Sequence, residues 1–167
     1  SNISTLLSYS VECNAGGTCL LHVYKRMKNN DTYHPITNEI RDKIKLLLSD
    51  FSHSALGTIN AEFPMVTKVV PMILNDEIYL LLSDLSEHTR NILDNKRCSV
   101  YFAGVEFHKT KMNNPRVTFS GTIEKLLLDK SSSEYQNLLS EYCKVDSGAQ
   151  MWGMFGDFNF YKLTVSR

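Results

Sequence analysis

No stretch of this 167-residue chain approaches the roughly 20 consecutive apolar residues that a membrane-spanning helix needs. Its first residues, SNISTLLSYS, lack the basic flank of a secretory signal. An excess of either charge is missing too. Lysine plus arginine equals aspartate plus glutamate at 18 each, which leaves no global field to attract nucleic acid or an anionic membrane, so neither partner is expected. Anion recognition must therefore come from a local cluster. Cysteine is scarce, and Cys13, Cys19, Cys98 and Cys143 fit no zinc spacing. Cys98, within CSVYFA, reads as a small hydrophobe in a strand, and a cytoplasmic protein with reduced thiols is expected. Also absent are a G-x-S-x-G elbow, a P-loop, a histidine pair at metal spacing, an internal repeat and a low-complexity segment. No metal site is expected and no side chain stands out as catalytic. If the chain is an enzyme, a bound cofactor carries the chemistry while the protein supplies position and electrostatics.

What is present is a succession of short strands. Apolar residues at 43% and charged residues at 22% are ordinary globular values, and the length suits one domain with a real core. Residues 1–36 read ambiguously: CLLHVYKRMK suits a strand or a short helix after a turn at NAGG. His22, Tyr24, Lys25, Arg26 and Lys28 make a small basic stretch there, suited to an anion contact or a solvated strand edge. From 37 to 167 the pattern sharpens into one domain. Thr37 or Asn38 caps a helix over EIRDKIKLLLSDF, whose Ile40, Ile44, Leu47 and Leu48 form one apolar stripe. HSALGTIN is a strand, and VTKVVPMIL and EIYLLLS form a hairpin through Asn75-Asp76, with Pro71 marking a bulge or an edge. Asp84 opens a second helix with Glu87 in capping-box position and Leu85, Ile92 and Leu93 toward the core. RCSVYFAGVEF and RVTFSGTIEKLLL are strands, SSSEYQNLLSEYC is a helix, residues 145–156 are a loop, and DFNFYKLTV is the last strand. Six strands and three helices without a βαβ rhythm predict a mainly β fold, a six-stranded antiparallel barrel with peripheral helices.

Ser83, His88, Thr89 and Arg90 gather where the second helix begins, and helix starts offer unpaired N–H groups to anions. The same residue types also serve as ordinary caps and solvated charges. Trp152, in QMWGMFGDF, lies in a glycine-rich loop that either plugs its own barrel or covers a planar ligand across a dimer. Arg116, after Pro115, suits a strand-end surface charge or a ligand contact, and His108, in EFHKTK, suits an exposed basic loop.

The order of PMVTKVVPM, IYLLLSDLSEHTRNIL, RCSVYF, PRVTFSGTIEKL and DFNFYKL resembles the FMN-binding split barrels of the pyridoxamine 5′-phosphate oxidase-like superfamily, over residues 38–165. The S-x-x-x-x-HTRN stretch is most similar to its haem-utilisation branch. The resemblance implies a homodimer with two sites for a small planar ligand at the subunit interface. It implies FMN as cofactor and oxidoreductase activity, or haem binding or breakdown on the same fold, or a non-catalytic dimeric binding module. Carried onto this chain, the cofactor-binding residues are Thr67, Ser83, His88, Thr89, Arg90, Arg116 near the ring edge, and Trp152. Thr67 and Met72 stand where the oxidases have an arginine and a lysine, and His88 and Thr89 where they have an arginine and a lysine. The first two losses each remove charge-assisted bonds worth on the order of 1.5–3 kcal/mol, so pyridoxamine phosphate oxidation itself is not expected. Lys68 would supply replacement charge, but strand alternation puts it opposite Thr67. The haem-handling relatives carry an iron-ligating histidine beyond the last strand. His22, His34, His53, His88 and His108 all precede that place, so that ligand is not implied here.

Overall fold

A computed structural model of the chain describes residues 10–13, 19–24 and 36–166. In chain order its elements are β1 (Ser10–Cys13), β2 (Cys19–Tyr24), α1 (Asn38–Ser49), β3 (Phe51–Ile59), β4 (Pro64–Val69), β5 (Pro71–Leu74), β6 (Glu77–Ser83), α2 (Glu87–Asp94), β7 (Arg97–Gly104), β8 (Arg116–Lys125), α3 (Ser133–Tyr142), α4 (Ala149–Trp152) and β9 (Phe158–Val165). Local chemistry accounts for several boundaries. Thr37 caps α1 by accepting from the Ile40 N–H, and Ser132 caps α3 by accepting from the Tyr135 N–H. The β5–β6 hairpin turns at Asn75 and Asp76, whose φ values of 51° and 60° are the positive pair that a tight two-residue hairpin turn requires.

One path of seven strands runs β4-β3-β7-β8-β9-β6-β5, every neighbour antiparallel. Its two ends, β4 and β5, are consecutive in the chain and separated only by Val70. The sheet thus curls until its edges meet through the backbone, not through a hydrogen-bonded ladder. Pro71 explains the break, because it has no N–H to give a ladder and sits where the edge strand starts, opposite Leu80. The single strand expected over 66–74 is therefore two, and the barrel path has seven strands where six were expected. β8 is long enough to serve two neighbours on one edge: β9 along Gly121–Lys125, and β2, in parallel, along Arg116–Thr118. Residues 19–24 are thus a strand of this sheet, while the NAGG turn and Lys25, Arg26 and Lys28 lie outside the described residues.

Alternation fills the barrel. Leu56, Val100, Phe102, Phe119 and Ile123 are fully buried, and Phe102 meets Phe51 and Phe119 edge-on at 5.1 and 5.9 Å. Ile44, Leu47 and Leu48 of α1 close one side of this core. Cys98 joins it as a small apolar residue, its thiol pushed up to about 12 by burial. A second cluster, with Met72, Tyr135, Leu139, Tyr142 and Phe160, joins α3 to the outer side of β6 and β9.

Two expectations at α2 are corrected. Asp84 is not its cap; Ser86 holds that position, and the Asp84 carboxylate is taken by Lys125 Nζ at 2.8 Å, Asn159 Nδ2 at 2.9 Å and Tyr161 OH at 3.0 Å. A charge-assisted bond to a lysine outweighs a cap bond. The helix consequently starts at Glu87 and turns Thr89, Asn91 and Ile92 inward, with Asn91 donating to Thr58, while Leu85 and Leu93 are exposed. The segment 145–156 also contains a short helix, α4, and is not wholly loop. No helix among the described residues is long and apolar enough to cross a membrane.

Candidate functional site

Beside the joint of β4 and β5, facing β6, lies a cleft of about 330 Å³. One wall is Lys68, Val69 and Val70, and the facing wall is Leu81, Leu82 and Ser83 of β6. Ser86 and His88 close one end, and Tyr142, Asp146, Trp152 and Phe158 cover it.

The aromatic cover is tied down by directional bonds. Trp152 packs on Phe158 with ring centroids 4.7 Å apart, and Tyr142 meets Trp152 edge-on at 6.3 Å. The Tyr142 hydroxyl donates to the Val70 carbonyl at 2.7 Å, pinning α3 to the joint between β4 and β5. Lys130 donates to the Gly153 carbonyl and the Tyr135 hydroxyl, each at 3.1 Å, and to the Phe158 carbonyl. The Tyr135 hydroxyl also donates to Gly153. Burial lowers the Lys130 pKa, and Asp157 and Asp84 only partly offset this. Gly153 admits no side chain, since a Cβ there would stand 2.5 Å from Leu139 Cδ1 and 2.6 Å from the Ala149 carbonyl oxygen. This close approach seats Trp152 over the cleft.

The polar end is largely self-engaged. Ser83 Oγ donates to Asp157 Oδ2 at 2.6 Å and accepts from the Leu85 N–H at 3.2 Å. Ser86 Oγ donates to the Ser83 carbonyl at 2.7 Å and lies 2.8 Å from Thr89 Oγ1. It makes no side-chain cap bond, so the first-turn N–H groups of α2 lack that partner. His88 Nδ1 lies 3.0 Å from Thr67 Oγ1, and burial lowers the imidazole pKa below its ordinary value, favouring the neutral ring. For Asp84, burial raises the pKa but Lys125, Tyr161 and Asn159 together outweigh it, and the carboxylate stays ionised.

Of the residues singled out in the sequence, Ser83, His88 and Trp152 line this one cleft. Thr67 reaches it through His88, and Thr89, fully buried, through Ser86. Arg90 is exposed, with Nη2 3.5 Å from the Leu85 carbonyl. Arg116 lines other cavities, beside α1 and Gly104. Met72 is buried in the second cluster. His108 is exposed and stacks on Phe107. Sequence reasoning missed Tyr142, Asp146, Asp157 and Phe158, and set Lys68 aside. Alternation separates Thr67 from Lys68 on a sheet, but at the edge strand β4 the cleft is reached from both faces. Among the described residues no three histidine, cysteine, aspartate or glutamate side chains gather closely enough to hold a metal ion.

Residues 40–167 match the family model described as pyridoxamine 5′-phosphate oxidase. The chain belongs to this family. Among solved structures, the pyridoxamine 5′-phosphate oxidase family barrel seen here is similar to HutZ, described as the heme storage protein from Vibrio cholerae, at 19% identity and a TM-score of 0.63, covering 75% of this chain and 89% of that one. It is similar to a heme binding protein from Mycobacterium smegmatis at 22% identity and a TM-score of 0.63, covering 71% of this chain and 48% of that one, so it spans about half of that protein. A FAD-binding protein from Mesorhizobium loti matches at 14% identity and a TM-score of 0.56, covering 76% of this chain and 87% of that one. Identities this low show a shared fold alone. No curated protein matches the chain.

Proposed function

We propose that the chain is a homodimeric split-barrel flavoprotein that takes FMN in the cleft between β4 and β6 and supports redox chemistry on a small planar substrate. The observation that carries this reading is the meeting, in one cleft, of an aromatic cover, a lysine and a helix start without a side-chain cap. Trp152, Phe158 and Tyr142 offer the flat apolar area that a ring system needs. Lys68 and the first turn of α2 offer positive charge and N–H donors to a phosphate. Bound FMN supplies the electron or hydride transfer. The chain's own residues hold it, keep water from one face of the ring, and fix the His88 ring through Thr67 so that Nε2 remains for proton exchange. Among the described residues of one protomer a single cation, Lys68, lines the cleft, and in this reading a second copy completes the anion end. The exposed Ile59, Phe63 and Val66 beside a groove lined by Gly57, Ser99 and Ser120 give the outer face of β4, β3, β7 and β8 the apolar, small-residue surface a second copy needs.

The purified protein is expected to be yellow. FMN should bind about tenfold or more tightly than riboflavin, the worth of a charge-assisted phosphate contact, and Lys68→Ala should narrow the difference. Colourless protein whose melting temperature does not respond to saturating FMN would sink the reading.

One observation favours haem as a second reading. Thr67 and Ser83 are engaged by His88 and Asp157 at 3.0 and 2.6 Å, an arrangement suited to a planar ligand without a phosphomonoester. A Soret band on haemin titration, lost in His88→Ala, would decide for it.

A further inference from the structure

The sheet sets the first two cysteines of the chain in register. β1 and β2 pair antiparallel, and Cys13, the last residue of β1, stands opposite Cys19, the first of β2. Residues directly opposite across an antiparallel pair have Cα atoms about 4.5 or 5.5 Å apart and share a face. A disulfide takes Cα separations of about 4.4–6.8 Å, so either kind of pair falls within its reach. Register alone thus meets the backbone condition for a bond. Only residues 14–18 separate the two cysteines along the chain, so their encounter is local. The other two cysteines are free and have no such counterpart. Cys98 stands opposite Gly121, and burial pushes its thiol up to about 12, which leaves little thiolate to react. Cys143 is half-buried at the end of α3, against the second cluster.

Such a bond would act on the seam between β2 and β8. Leu20, Leu21 and His22 pair in parallel with Arg116, Val117 and Thr118. Parallel pairing is slightly less stable per residue than antiparallel pairing, and this ladder is short. The β1–β2 ladder beside it is interrupted by a register shift between Ser10 and Glu12. Joining Cys13 to Cys19 closes that hairpin at the residue next to Leu20.

We propose that Cys13 and Cys19 form a reversible disulfide, a redox-operated clasp that closes the β1–β2 hairpin and holds β2 on β8. The oxidant is a low-molecular-weight disulfide such as oxidised glutathione. One cysteine thiolate attacks it, forming a mixed disulfide and releasing one glutathione thiolate. The second cysteine thiolate then attacks the protein sulfur of the mixed disulfide and releases the other glutathione. Two protein thiols lose two electrons, oxidised glutathione gains them, and the two protons pass to the released thiolates. A protein kept among reduced thiols carries the clasp open. The clasp stands apart from the cleft of Trp152 and does not depend on which cofactor that cleft takes.

The test equilibrates the full chain with oxidised glutathione, blocks remaining thiols with iodoacetamide and digests with trypsin without reductant. Residues 1–24 contain no lysine or arginine, so both cysteines fall in one tryptic peptide ending at Lys25. That peptide is expected to be lighter than its reduced form by two hydrogen atoms and to carry no alkylation, and dithiothreitol should restore two alkylation sites. In hydrogen exchange the amides of residues 20–22 should slow about tenfold or more on oxidation, while those of the β5–β6 hairpin keep their rates. Cys19→Ser should abolish both changes, and the mass readout on the unaltered chain keeps the proposal testable if that variant fails to fold. Two thiols still open to alkylation, glutathione left on both cysteines, a bond to Cys98 or Cys143, a covalent dimer, or unchanged exchange at residues 20–22 in the bonded form would each overturn it.

Discussion

In the barrel, Leu56, Val100, Phe102 and Phe119 pack with no exposed surface and no polar side-chain atom among the four. Beneath the cleft, Tyr135 and Tyr142 are almost as buried, but each carries a hydroxyl that must find an acceptor, at Gly153 and at Val70. The barrel is held by non-directional apolar burial, which tolerates no single weak point because every residue shares many neighbours. The cleft cover is held by a few directional bonds converging on two backbone positions. Rigidity of scaffold and rigidity of site therefore have separate causes, and the second can be loosened while the first survives.

Substitutions can break that comparison. The largest effect is expected from Phe119→Ala, which should cost about 3–5 kcal/mol in urea unfolding without any specific change in the cover. Lys130→Met should come next. It removes the Lys130 donor from the Phe158 carbonyl and leaves the Gly153 carbonyl to Tyr135 alone, a loss of about 1–3 kcal/mol. Its signature is a red shift of tryptophan emission, cleanly read because Trp152 is the only tryptophan. A loss as large as that of Phe119→Ala with unchanged emission would mean that cover and core are one unit. Tyr142→Phe removes a single bond and should cost about 1 kcal/mol.

The smallest expected effect is a pH dependence from His88. Burial lowers its folded-state pKa, so the unfolded chain takes up the proton more readily. Its contribution to stability is complete above the ordinary value of 6.5 and is lost as pH falls from there through the folded-state value. Thermal melts of the protein and of His88→Gln should converge at low pH; a constant separation would show that the imidazole does not titrate as described.

The parts of this fold legible in the sequence are those decided by near neighbours. Asn75-Asp76 supplies the left-handed turn by itself, Thr37 and Ser132 reach only three residues forward, and Pro71 ends a ladder wherever it stands. The misread parts were decided across the chain. Asp84 looks like a cap until Lys125 and Tyr161, 41 and 77 residues on, arrive beside it. Lys68 looks misdirected until its strand proves to be the edge, and Tyr142 shows no link to Val70 until 72 residues of chain fold between them. Trp152 was open between plug and cover. It packs on its own chain's Phe158 in the second cluster, outside the barrel core, and lines the cleft.

The junction at Val70 limits how the molecule can breathe. Two peptide units span at most about 7 Å, so the ends of β4 and β5 stay within that tether whatever else moves. Widening of the slot must pivot there and swing outward at Ser83 and Ser86.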